Sequence, residues 1–151
     1  MVILSTPYSD IFELFLTSIQ DYRINRLYQK SVDDMEKYLM PFLIKAITRF
    51  DRCKKDLEDR DDVNRVFHQD LSTDEKVILS DLMVAEWMTK EVNDIMNMKN
   101  FLQDTDFKTY SQANNLKEKR ELLNEIEEKV DKRITKYSYK HFDWSKLNKR
   151  S

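Results

Sequence analysis

Not one of the 151 residues is glycine, and that absence removes more folds from consideration than any residue present. Phosphate-cradling loops, type I′ hairpin turns and nucleophile elbows rely on glycine, because the backbone there takes positive φ or approaches a ligand closely. Prolines are also few, at two. A β-rich or doubly wound fold is therefore not expected, which leaves helices joined by Asn- and Asp-containing turns. The expected fold class is all-α: a compact helical domain of four to five helices, with a long C-terminal helix and an extended aromatic and basic tail.

A chain of this length fits one domain and can bury about 68–70% of its unfolded surface, enough for a core without staples. Charged residues make up 36% of it, against roughly one quarter in ordinary domains, which predicts helices with wide solvated faces. The net charge of only -2 and the recurrence of Leu, Ile, Phe, Tyr and Met argue against disorder. Cys53 is the sole cysteine, so neither an intrachain disulfide nor a thiolate metal cluster can form. The opening MVILSTPYSD has no basic region before its short apolar run and does not read as a signal peptide. No apolar stretch approaches the ~18 residues of a membrane span, and a reducing compartment is expected.

Helical periodicity organises the chain. Thr6 and Pro7 suit the cap and first position of a helix carrying Tyr8, Ile11, Phe12, Phe15, Ile19 and Tyr22. Residues 21–30 read as a polar connection anchored by Leu27 and Tyr28. Ser31-x-x-Asp34 opens a second helix, whose stripe runs through Met35, Tyr38, Leu39, Phe42, Leu43, Ala46, Ile47 and Phe50 to about Leu57. Pro41 predicts a kink or restart within it. Val63, Phe67 and Leu71 mark a weaker segment. Ser72-x-x-Glu75 is the better capping box and begins the most apolar helix, with residues from Val77 to Met88 around most of its circumference. Such a helix belongs at the centre of its domain or between two partners. A looser stretch turns at Asp104-Thr105-Asp106. The last helix is expected from about Ser111, with Leu116, Leu123, Ile126, Val130, Ile134 and Tyr137 in a narrow stripe, and Glu125–Lys129 and Glu128–Lys132 pairs along its surface.

No catalytic or cofactor motif emerges. His68 and His141 lie far apart, no Glu-x-x-His spacing occurs, and Cys53 has no His partner, so no metal, no cofactor and no enzymatic activity are expected. Trp87 reads as core, with a subunit-interface anchor as the alternative. Met83, Met88, Met96 and Met98 read as gap-fillers, with a soft binding face as the alternative. The tail is more distinctive. Tyr137, Tyr139, Phe142 and Trp144 interleave with Lys140, Lys146, Lys149 and Arg150, and exposing so many aromatics near a chain end is unfavourable. These eight residues are the candidate partner-binding set, docking on the same domain or on another chain. The expected division is a helical body over 1–137 and a docking tail over 138–151. Basic residues among stacking aromatics also suit nucleic acid, but the near-neutral net charge argues against that as the main role.

The order of elements carries a resemblance. A stripe helix, YLMPFLIKAITRF, precedes an apolar helix with a Trp near its end, VILSDLMVAEWM. Then DFKTYSQANNL leads into a long charged helix ending YSYKHF. This resembles the small all-helical head–tail connector (adaptor or neck) proteins of tailed bacteriophages, over most of the chain. The stretches SDIFELFL, RCKKDLEDRDD and YSQANNL also resemble proteins from phage structural-gene neighbourhoods. The long charged last helix with its aromatic tail departs from many small connectors. The resemblance implies a virion protein of the neck, assembled in the host cytoplasm. It would form a homo-oligomeric ring, taken as twelvefold, below the portal protein, contacting other neck or tail proteins and letting DNA pass without sequence-specific binding or membrane contact. The competing reading is a small helical phage or bacterial regulatory protein that binds one protein partner, as a dimer through the last helix. An enzyme or nucleic-acid-binding module is the third class.

Overall fold

The computed structural model describes residues 4–149 of the protein, with side chains at the C-terminal end described through Leu147. It has six α-helices: α1 (Tyr8–Ser18), α2 (Tyr22–Lys30), α3 (Val32–Arg49), α4 (Thr73–Asn97), α5 (Asp104–Ala113) and α6 (Leu116–Lys140). Short 3-10 turns follow at Met98–Asn100 and Trp144–Lys149. A small antiparallel sheet joins β1 (Thr6–Pro7), β2 (Arg60–Asp61) and β3 (Val66–Phe67), with β3 central. The all-α class and the long C-terminal helix stand as expected.

α4 is the axis of the domain. Its N-terminus closes a full capping box: Ser72 Oγ accepts from the Glu75 amide at 3.2 Å, and the Glu75 carboxylate accepts from the Ser72 amide at 2.8 Å. Each bond satisfies a donor that a helix start leaves unpaired. Ile78, Leu79, Leu82, Met83, Val84, Ala85, Met88, Val92 and Ile95 are all buried, because α1, α3 and α6 pack around this helix. α1 contributes Tyr8, Ile11, Phe12 and Phe15, one face at helical spacing. α3 contributes Met35, Leu39, Phe42, Leu43, Ala46 and Ile47. α6 gives only Val130 and Tyr137 as fully buried residues, the narrow stripe that its charge density implied.

α6 runs antiparallel to α4. Lys140 Nζ meets Asp74 at 3.2 Å, Arg133 meets Asp81 at 2.9 Å, and Lys119 meets Glu91 at 3.7 Å. Arg49 ties the end of α3 to both helices, through Glu86 at 3.2 Å and through Glu127. The ion pairs described for α6 thus run to its neighbours, not along its own surface as the Glu125–Lys129 and Glu128–Lys132 spacings suggested. Burial pushes the Asp81 carboxyl above the ordinary carboxylate range, and the nearby Arg133 and Lys129 only partly offset this.

Several local expectations need correction. Residues 21–30 are not a connection but helix α2, capped by Asp21, whose side chain accepts from the Arg23 amide at 2.8 Å. Ile24 is its buried residue, while Tyr28 is exposed. Pro41 does not interrupt α3, which runs unbroken across it. The helix stops at Arg49, well short of Leu57, and the charged stretch that follows is loop. Cys53 lies in that loop, half-buried. Thr6 does not cap α1. It is a strand residue whose hydroxyl donates to the Gln69 carbonyl and accepts from the Leu71 amide.

The small sheet escapes a periodicity argument because two-residue strands have no period to read. Its hairpin is made by side chains where glycine would otherwise serve. Asp61 accepts from the amides of Val63 and Asn64, a local turn that Asp stabilises. Arg65 takes the left-handed φ of 56°. Its carbonyl accepts from the Tyr8 amide at 2.9 Å, and its guanidinium holds Glu36 at 2.8 Å and Asp33 at 2.7 Å. The other left-handed residue among the described residues is Asn115, φ 51°. It splits the expected single last helix into α5 and α6, so α6 starts at Leu116, not near Ser111, and Asp104 and Asp106 belong to the first turn of α5.

Candidate interaction surface

The chain's end divides into an anchored half and an exposed half. Tyr137 belongs to the anchor. It is buried in the core, where its ring meets Phe50 edge-on at 5.3 Å and lies 4.3 Å from the His141 ring. Its hydroxyl donates to Glu75 Oε2 at 2.6 Å and accepts from the Lys54 amide at 2.9 Å. Tyr137 was expected among the partner-binding residues. It cannot offer its ring to another chain, because the α4 N-terminus and the loop after α3 already cover it.

Glu75 is the centre of this anchor and is only 2% exposed. It accepts from the Ser72 amide, the Tyr137 hydroxyl and, at 3.2 Å, from Lys55 Nζ, with Cys53 Sγ at 3.5 Å. Burial raises the pKa of this carboxyl, but the Tyr137, Ser72 and Lys55 donors together outweigh it and hold the group below the usual carboxylate range. Burial, then the bond to Glu75, raises the Tyr137 phenol well above its ordinary value. Burial likewise pushes the Cys53 thiol up to about 11, with the Glu75 charge adding to it. A thiol held protonated this way is a poor nucleophile. The site is a structural junction of capping box, loop and helix end.

Beyond it the side chains turn outward. Tyr139 is 62% exposed, Phe142 47%, Trp144 56% and Leu147 57%. The three aromatic rings cluster on one another. Tyr139 and Trp144 stack with planes 7° apart and centroids at 6.5 Å, and Phe142 meets Trp144 at 4.7 Å and 66°. Asp143 Oδ1 accepts from the Ser145 amide at 3.1 Å and so shapes the turn that brings Trp144 back over Tyr139. Lys140 is paired with Asp74, while Lys146 is exposed. The Lys149 side chain and Arg150 lie outside the described residues. The structure therefore gathers Tyr139, Lys140, Phe142, Trp144 and Lys146 at one end of the molecule and withdraws Tyr137 from that set. It adds Leu147, an apolar residue within a basic stretch, which the emphasis on aromatics passed over. α6 continues to Lys140, so the exposed segment is continuous with a rigid helix across position 137.

Trp87 is half-buried against the core, and its indole Nε1 donates to Asp21 Oδ2 at 3.0 Å. That bond links α4 to the cap of α2. Among the described residues no group of three or more His, Cys, Asp or Glu could hold a metal ion, and no helix is long and apolar enough to cross a membrane. His68 instead contacts Asp59 at 2.9 Å. The sequence matches no protein-family model, and neither the curated proteins nor the solved structures yield a match.

Proposed function

We propose that this chain is a non-enzymatic structural protein, a head–tail connector of the kind found in tailed bacteriophages. In this reading, copies form a ring below the portal, and the segment after His141 fastens each copy to a neighbouring chain of that assembly. The observation that supports it is the exposed cluster of Tyr139, Phe142 and Trp144 at the end of α6, with Leu147 also exposed in the same segment. Apolar side chains so exposed are unfavourable in water, and contiguous patches of this kind mark interaction sites. Aromatic residues are also the ones that dominate binding energy once buried in a partner. Flanking cations add steering toward an acidic surface and set register more than affinity. The Glu75–Tyr137 junction supports the same role, because it fixes the helix end from which the cluster projects. The connector assignment itself rests on the resemblance in element order and on this surface.

The test is attachment to a portal protein ring, read by co-sedimentation, for the full chain and for a chain ending at His141. Cutting there spares Lys140–Asp74 and the His141–Tyr137 contact, which removal of residues 138–151 would destroy. The full chain should sediment with the portal ring. The shortened chain should keep its helical circular dichroism and stay in the supernatant. If the shortened chain sediments as the full chain does, the segment is not the fastener. If the full chain does not attach, the connector role is wrong.

A further inference from the structure

The chain carries a second unpartnered feature that complements the first. α1, α2 and the start of α3 enclose a half-open groove of about 550 Å³, within the roughly 300–1,000 Å³ typical of binding clefts. Its floor is apolar, with Phe12, Leu16, Ile24 and Met35, and its lip carries Tyr28 and Val32, both more than half exposed. The charged residues lining it are all carboxylates: Glu13, Asp21 and Glu36. Asp21 is engaged by Trp87 and the Arg23 amide, and Glu36 by Arg65. Glu13 is exposed and makes no ion pair among the described residues. The tail has the opposite character. Residues 138–151 hold Lys140, Lys146, Lys149 and Arg150 against the single carboxylate of Asp143, beside exposed Phe142, Trp144 and Leu147.

We propose that the occupant of this groove is the C-terminal segment of a second copy of the chain. Phe142, Trp144 and Leu147 enter the apolar floor and Lys146 comes to lie by Glu13. The inference rests on the segment being a docking element and names what receives it. Charge and polarity both match: an acidic-lipped apolar slot meets a cationic apolar segment. Groove and tail are different surfaces, so the contact is heterologous. A copy that gives its tail to the next still has an open groove for the one before, the arrangement that closes into rings when the rotation permits.

The test uses the full chain with a photo-reactive phenylalanine analogue at position 142, as a mixture of isotopically heavy and light protein. Illumination should give heavy–light cross-links that map to residues 9–36. Val32→Glu places a charge on the exposed lip without touching the core. It should remove most of those cross-links and weaken self-association by roughly tenfold or more, as loss of an anchor contact does. Cross-links confined to one isotope, or mapping elsewhere, overturn the assignment, as does a Val32→Glu chain that cross-links like the parent. If the chain does not self-associate, yet portal attachment still requires the segment after His141, the docking role stands and the groove assignment falls. If attachment survives loss of that segment and the heavy–light cross-links to residues 9–36 are absent, both fall.

Discussion

Replacing Tyr137 by Phe isolates one hydroxyl in the junction that holds the end of α6. The ring, and its contacts with Phe50 and His141, should be retained. Glu75 loses its 2.6 Å donor, and the Lys54 amide loses its acceptor at 2.9 Å. A hydrogen bond to a charged group contributes about 1.5–3 kcal/mol and an ordinary one about 0.5–1.5 kcal/mol. Lys54 is exposed, so water can replace the second partner and the first loss dominates. The expected destabilisation is about 2–3 kcal/mol. For a chain of this size that is a fall in Tm of roughly 4–12 °C. The sign of the pH dependence follows from Glu75. Its folded-state pKa is depressed, so its stabilisation is present above the unfolded value near 4.3 and is lost as pH falls through the folded value. The difference between parent and Tyr137→Phe should therefore be full at pH 7 and shrink steadily below about pH 4. Urea unfolding followed by circular dichroism at a series of pH values measures it. A difference below about 0.5 kcal/mol at pH 7, the scale of an ordinary surface substitution, or one that does not change with pH, would refute the claim that the hydroxyl acts through an ionised Glu75.

Pro41 sits exposed within an unbroken α3, where proline costs ~3 kcal/mol relative to alanine. Pro41→Ala should raise stability by about 1–3 kcal/mol in urea unfolding, and a loss would mean the ring packs in a way its exposure does not suggest. Trp87→Ala removes a half-buried ring and the bond to Asp21, so calorimetry should show a cost at the lower end of the ~3–5 kcal/mol found for buried aromatics. An unchanged Tm would place Trp87 outside the core. Asn115→Ala forces a β-carbon residue less tolerant than Asn into the left-handed region and should cost about 1 kcal/mol, whereas Asn115→Gly should be neutral or slightly stabilising. Equal effects of the two substitutions would count against conformational strain at that position.

The long elements were legible because burial writes a period into the sequence. The capping box at Ser72 and Glu75, the stripe of α3 from Met35 to Ile47 and the apolar circumference of α4 all appear where spacing places them. Elements that tertiary contacts decide were not legible. α2 has one fully buried residue, so its composition reads as loop, and only Asp21 as a cap betrays it. The break at Asn115 depends on a single left-handed residue that Asn tolerates without advertising it. The candidate surface was half legible. The aromatic and basic composition of the tail marked the segment whose aromatic side chains are exposed, but nothing in sequence separates Tyr137 from Tyr139. They are two residues apart, so they point to different sides of the helix, and only the position of Glu75 decides which is buried. The groove between α1, α2 and α3 was hidden for the same reason as α2.

The three ion pairs spaced along α4 and α6, with the Tyr137–Glu75 bond beside the outermost, also determine how the molecule would bear force. α6 spans about 37 Å at 1.5 Å per residue, and the exposed cluster sits at its free end. Tension applied to that cluster along the helix axis loads the α4–α6 interface in shear, so Lys140–Asp74, Arg133–Asp81 and Lys119–Glu91 share the strain together with the buried stripe between them. Tension applied sideways peels the same contacts one at a time, beginning at the Glu75 junction. Resistance to load therefore depends on direction: a lengthwise pull is shared by all three pairs, and a sideways one falls first on the Glu75 junction.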